Sequence, residues 1–145
     1  MKKLLLTSLL LGFFMTLFAE TLPPVTVYKS KYCGCCGEWV KHMENNGFKV
    51  NVIETEALNE VKIKYNVPAP LASCHTAIIG NFIVEGHTPA SSIKRFLKEA
   101  PKDSIGLAVP GMPLGSPGME QGNMKQPYDV LAFDKQGHTV VFEKF

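Results

Sequence analysis

The sequence predicts a single α/β domain, a mixed sheet with flanking helices, and three observations predict it. Segments with strand-like and helix-like patterning alternate as strand, helix, strand, helix, hairpin, helix. A Cys-x-x-Cys, Cys33 to Cys36, falls between the first strand and the first helix. A turn-rich stretch ending in Cys74 leads into the third strand, where such a plan brings the chain back beside the Cys-x-x-Cys turn. Together these describe a thioredoxin-like arrangement, to which the chain adds a Gly-, Pro- and Met-rich lid and a C-terminal hairpin.

At 145 residues the chain has room for one domain and hardly for two. Hydrophobic residues, at 46%, suffice for a modest core, and charged residues, at 19%, are too few for a disordered chain. The leading residues read as an export signal. Met1-Lys2-Lys3 is a basic head, residues 4–18 form an uncharged apolar run, and the composition changes at Ala19-Glu20. The run is short for a bilayer, which takes about 20 apolar residues. Cleavage after Ala19 would put Leu17 where a small residue is preferred. The reading is residues 1–19 as signal peptide and residues 20–145 as the mature domain, in the periplasm, membrane-anchored there if the signal is retained. Lys2 and Lys3 fall in the leader, so of 15 Lys and Arg 13 remain, against 13 Asp and Glu. A near-neutral domain offers no basic stripe for nucleic acid, and no second apolar run supports a membrane span in the mature chain.

In the mature chain, residues 25–28 are β-branched and aromatic and predict the first strand. Cys36, Trp39, Val40 and Met43 recur at helical spacing, and Asn46-Gly47 suits the end of that helix. Residues 48–53 predict a second strand. Thr55 is placed to cap a second helix with Leu58, Val61 and Tyr65 on one side, ended by Asn66-Val67-Pro68. Residues 76–79 and 82–85 are apolar runs split by Gly80-Asn81, a hairpin. Thr88 as cap and Pro89 at the first helical position open a third helix, with Ile93, Phe96 and Leu97 facing the core. Residues 106–127 read as one long irregular lid carrying Met112, Met119 and Met124. Residues 128–133 and 139–142 form the last hairpin around Asp134-Lys135-Gln136-Gly137.

Four cysteines in an exported domain ordinarily suggest two disulfides. A disulfide framework joins distant segments, whereas here Cys33, Cys35 and Cys36 are nearly contiguous and Cys74 stands apart. Cys35 and Cys36 would sit at a helix N-terminus, whose free N–H groups favour thiolates, and Lys31 would add positive potential. Crowded thiolates repel one another unless a cation lies between them. Soft sulfur ligands select copper(I), zinc or iron–sulfur clusters. Structural zinc typically uses two knuckles, and this chain has one, with Cys35 inserted and Cys74 remote. Adjacent cysteines do not easily aim both sulfurs at one tetrahedral ion, but they can bridge several, which copper(I) tolerates. The expected metal ligands are Cys33, Cys35, Cys36 and Cys74, holding copper, as copper(I) and as several ions. His75, Met112 and Met119 are further candidates. His87 reads equally as a ligand or a helix-start hydrogen-bonding group, His42 as a solvated residue, His138 as an exposed turn residue, and Trp39 and Met43 as core.

Four stretches resemble the CopG-like periplasmic copper-resistance proteins, a family long described as a domain of unknown function. They are residues 28–40 (Tyr-Lys-Ser-Lys-Tyr-Cys-Gly-Cys-Cys-Gly-Glu-Trp-Val), residues 71–77 (Leu-Ala-Ser-Cys-His-Thr-Ala), residues 84–90 (Val-Glu-Gly-His-Thr-Pro-Ala) and the lid segment 106–120. The resemblance covers nearly all of the mature chain. It implies a thioredoxin-like fold, copper on Cys33, Cys35, Cys36 and Cys74, and interconversion of copper(I) and copper(II) as part of copper tolerance, alongside other periplasmic copper-handling proteins. Two other functions compete. One is a thiol–disulfide oxidoreductase working through Cys33 and Cys36, for which Cys35 would be a hindrance. The other is a structural zinc module that presents the lid to a partner, which the lid methionines disfavour.

Overall fold

The computed structural model describes residues 21–145. The expected signal peptide, residues 1–19, lies outside the described residues. Among those described, no helix is long and apolar enough to cross a membrane.

The chain runs β1 (Val25–Lys29), α1 (Gly34–Asn45), β2 (Val50–Glu54), α2 (Leu58–Lys64), a 3-10 turn (Ala69–Leu71), β3 (His75–Ile79), β4 (Phe82–Glu85), α3 (Ala90–Glu99), β5 (Ser104–Ala108), β6 (Asp129–Asp134) and β7 (Thr139–Lys144). The strands form one seven-stranded sheet in the order β2-β1-β3-β4-β5-β6-β7. β1 pairs in parallel with β2, and β4 with β5. The other neighbours are antiparallel. The first part of the chain is the thioredoxin-like unit, and β5, β6 and β7 extend its sheet.

Strand alternation divides the core between two faces. Val25, Val27, Ala77, Ile79 and Val84 pack with Trp39 and Met43 of α1 and with Ile93 and Phe96 of α3. Each large apolar side chain buried this way contributes about 1.5–3 kcal/mol. Trp39 satisfies its indole N–H on the Thr88 carbonyl at 2.8 Å. On the opposite face Leu71, Ile83, Ala108 and Phe133 pack together, with Tyr65 from the end of α2 against them.

The structure departs from the sequence reading in four places. Residues 106–108 are not lid but the end of β5, which adds a strand that composition concealed. Gly106 is needed inside that strand because a Cβ there would lie 2.2 Å from the Ile83 carbonyl oxygen and 2.8 Å from the Phe133 ring. The irregular segment is therefore residues 109–128. Phe48 is buried, but β2 starts only at Val50. Thr55 does not cap α2: Ala57 is the N-cap, and Thr55 Oγ1 instead accepts the Ala57 N–H at 3.0 Å. Thr88 does not cap α3, because its buried hydroxyl donates back to the Glu85 carbonyl. Pro89 is the N-cap, and the acceptor for the Ala90 N–H is His42 Nε2, at 3.0 Å from α1.

Candidate metal centre

Cys33 is the N-cap of α1, in extended conformation, so Gly34, Cys35 and Cys36 make the first turn of the helix. This turn folds back on the loop between the 3-10 turn and β3, which carries Cys74. All four Sγ atoms lie within 4.8 Å of one another. Cys33 and Cys36 are joined as a disulfide, and Cys35 and Cys74 are free. Cys35 Sγ is 3.5 Å from Cys33 Sγ, and Cys36 Sγ is 3.7 Å from the Cys74 carbonyl oxygen. Cys36 is fully buried, and the other three are half-buried.

Two histidines complete the cluster. Cys74 Sγ and one nitrogen from each of His75 and His87 also lie within 4.8 Å of one another. His87 Nδ1 is 2.8 Å from the Pro117 carbonyl oxygen, which can only accept. Nδ1 therefore carries the proton, and the Nε2 lone pair faces Cys74 Sγ at 3.0 Å. His75 Nδ1 is 3.4 Å from the same sulfur. Its Nε2 is buried without a hydrogen-bond partner, and its ring packs 4.5 Å from Trp39.

Burial first, and then the nearby His87, Lys62 and Lys29, hold His75 well below the ordinary imidazole value. Burial likewise lowers His87. Both rings are neutral, the form that binds metal. Burial, and next the charge on Cys35, push the Cys74 thiol up to about 11. The Cys74 S–H can donate to His87 Nε2. Without a cation the sulfurs cannot all ionise together, and a bound cation reverses that balance.

The lid is fastened over this cluster. Ser73 Oγ donates to the Gly111 carbonyl at 2.6 Å, and His87 holds Pro117. Gly118, at φ +86°, lies so close to α1 that a Cβ would sit 2.6 Å from the Cys35 carbonyl oxygen and 2.8 Å from the Trp39 nitrogen. Glu120 accepts the Gly118 N–H at 2.8 Å. Met112 and Met119 each follow one of these anchored glycines. Met112 is 52% exposed and Met119 is half-buried.

Of the expected ligands, the structure brings together the four cysteines and His75. It adds His87 on the nitrogen side. His42 is no solvated residue, since it is tied to α3, whereas His138 is exposed in its turn and pairs with Asp134. Sequence reasoning passed over a second buried group. Glu85 and Lys62 form an ion pair beneath the Cys74 loop. A visible signal was the acidic end of the otherwise apolar run Phe82-Ile83-Val84-Glu85.

Fold and site together define a class: a thioredoxin-like domain in which the cysteine turn of the first helix is enlarged by two further thiols and two imidazoles. Within that class, two solved structures share 40% sequence identity with this chain, covering 86% of it and 98% of their own length. Both are of copper resistance protein CopG, form 2 with a TM-score of 0.81 and form 1 with 0.80. The chain belongs to the CopG family. Residues 71–119, from the Cys74 loop through the lid, match the family described as protein of unknown function DUF411. No curated protein matches the chain.

Proposed function

We propose that this protein is exported to the periplasm and there binds copper as part of copper resistance, on Cys33, Cys35, Cys36 and Cys74. The observation that carries the reading is the convergence of four sulfurs beside two neutral imidazoles. Sulfur donors suit copper(I), and closely spaced thiolates bridge several ions. Four thiolates become available only after the Cys33–Cys36 disulfide takes up two electrons from an external reductant, with any protons on the four sulfurs released as the metal binds. Anaerobic titration of the reduced protein against a copper(I) chelator tests the reading. More than one copper(I) per chain is expected, in preference to zinc. Saturation by one zinc ion with no copper uptake in competition would overturn it.

The same copper cycles between copper(I) and copper(II), one electron per ion passing to an external acceptor on oxidation and one returning from an external donor on reduction. Copper(II) prefers nitrogen and oxygen ligands, and His75 and His87 supply nitrogen next to Cys74. Met112 and Met119 are neutral soft ligands for the reduced state. Oxidising the copper(I) protein mildly should give a copper(II) paramagnetic resonance signal that reductant abolishes. Irreversible copper loss with disulfide formation would show that the cysteines give up the electrons instead.

The Cys33–Cys36 disulfide favours a second reading, a thiol–disulfide oxidoreductase. In that case, once the pair has been reduced by an external thiol, the half-buried Cys33 thiolate would attack a substrate disulfide, releasing one substrate thiolate and forming a mixed disulfide that the buried Cys36 resolves. Copper-free protein that reduces a model disulfide faster as Cys35→Ser than as the parent would support it, because Cys35 competes for the wrong pairing.

A further inference from the structure

The buried ion pair under the Cys74 loop has no part in the sulfur cluster itself, yet it is built with unusual completeness. Glu85 is fully buried, and Lys62 is 8% exposed. Glu85 Oε1 accepts the Lys62 ammonium and the Ser73 backbone N–H, the latter at 2.6 Å. Glu85 Oε2 accepts the Thr76 hydroxyl at 2.6 Å. That hydroxyl accepts from Lys62 in turn at 3.0 Å. Thr76 and Glu85 are cross-strand partners in β3 and β4, so the sheet register presents them side by side. A buried ion pair is a poor source of stability, since a packed apolar pair commonly does as well. What this pair does that an apolar pair cannot do is accept the Ser73 N–H.

Ser73 is therefore gripped twice. Its N–H is held by Glu85 on the α2 face, and its hydroxyl is held by Gly111 of the lid. The next residue is Cys74, whose sulfur points to the cluster with Cys36, His75 and His87. We infer that Glu85, held in place by Lys62 and Thr76, is a positioning residue for Cys74: it fixes the peptide that aims this sulfur at the cluster. The inference deepens the proposed copper site for its metal-binding consequence, but its effect on thiol reactivity stands without copper.

The test compares two charge-free double variants, so that no buried charge is left unpaired in either. Lys62→Met/Glu85→Gln keeps a side-chain oxygen to accept the Ser73 N–H, and Lys62→Met/Glu85→Leu has none. In reduced, metal-free protein, the alkylation rate of Cys74 relative to Cys35 should be parent-like with Gln and changed severalfold with Leu. Copper(I) affinity should fall by about tenfold in the Leu variant alone, the usual scale for losing a group that orients a ligand. Equal alkylation ratios in the two folded variants would overturn the inference. Amide exchange of the parent needs no variant: the Ser73 amide should be protected like its β3 neighbours, and unprotected exchange would also overturn it. A parent that takes up no copper(I) would sink the metal reading and leave the alkylation comparison standing.

Discussion

At the scale of single residues, each cysteine has a distinct environment. Cys74 is outside the disulfide and is held by its loop rather than by the core, so Cys74→Ser should leave the fold intact. It should lower the number or affinity of bound copper(I) ions in chelator competition. A variant that binds copper as the parent does would mean the four sulfurs do not act as one site. Cys33, Cys35 and Cys36 were legible as a cluster because their spacing is local, and the convergence of the distant Cys74 was legible because it precedes the strand that returns beside them. His87 was only half legible. Its role depends on the Pro117 carbonyl, 30 residues away, which sets the tautomer. Lys62 was not legible at all, because a lysine on a short helix reads as solvated until Glu85 and Thr76 arrive from other strands.

At the scale of elements, α3 owes its first hydrogen bond to another helix. His42 Nε2 must be unprotonated to accept the Ala90 N–H. Burial lowers its affinity for a proton, partly offset by Glu120. The fold thus prefers neutral His42, while the unfolded chain protonates near the ordinary value of 6.5. Above that pH both states are neutral, and His42 adds no pH dependence. Below it the unfolded state gains protons first, so stability falls until the folded imidazole itself titrates. His75 and His87 act in the same direction. The urea midpoint of the metal-free protein should drop between pH 7 and pH 5, and His42→Gln, which can still accept, should flatten part of that drop. An unchanged slope would show that His42 does not contribute. For the lid, Gly118→Ala should cost about 1–3 kcal/mol of local stability through its positive φ and the contact with Cys35. It should be read as faster proteolysis within residues 109–128 while the core stays protected. The helices and hairpins were legible because their periodicities are short-range. β5 was not, because Gly106 reads as a loop residue unless Phe133 is known to cross it.

For the whole molecule, the proposed metal binding would be linked to folding. A ligand present at about a hundred times its dissociation constant adds about 2.7 kcal/mol to the stability of the folded state. Reduced protein loaded with copper(I) should therefore melt at a higher temperature than reduced apoprotein. Protein kept as the Cys33–Cys36 disulfide should gain much less, since only two thiols remain free. Equal gains in calorimetry would mean the disulfide pair is not part of the binding set. The overall topology was legible up to α3 as the thioredoxin-like unit. The extension by β5, β6 and β7 was legible only as its final hairpin, because the parallel pairing of β4 with β5 joins segments with a helix between them.

The sulfurs also differ in depth: Cys36 is sealed off, whereas Cys33, Cys35 and Cys74 reach the surface. In the proposed site this makes loading a queue. Ions would enter at the shallow sulfurs, and one would have to pass inward before Cys36 is engaged, so the last ion to arrive would be the first to leave. A donor or acceptor protein would then trade with the outermost ion only, and the inner one would stay behind as a resident. Stripping the loaded protein with excess chelator should accordingly proceed in a fast phase and a slow phase, rather than as a single exponential.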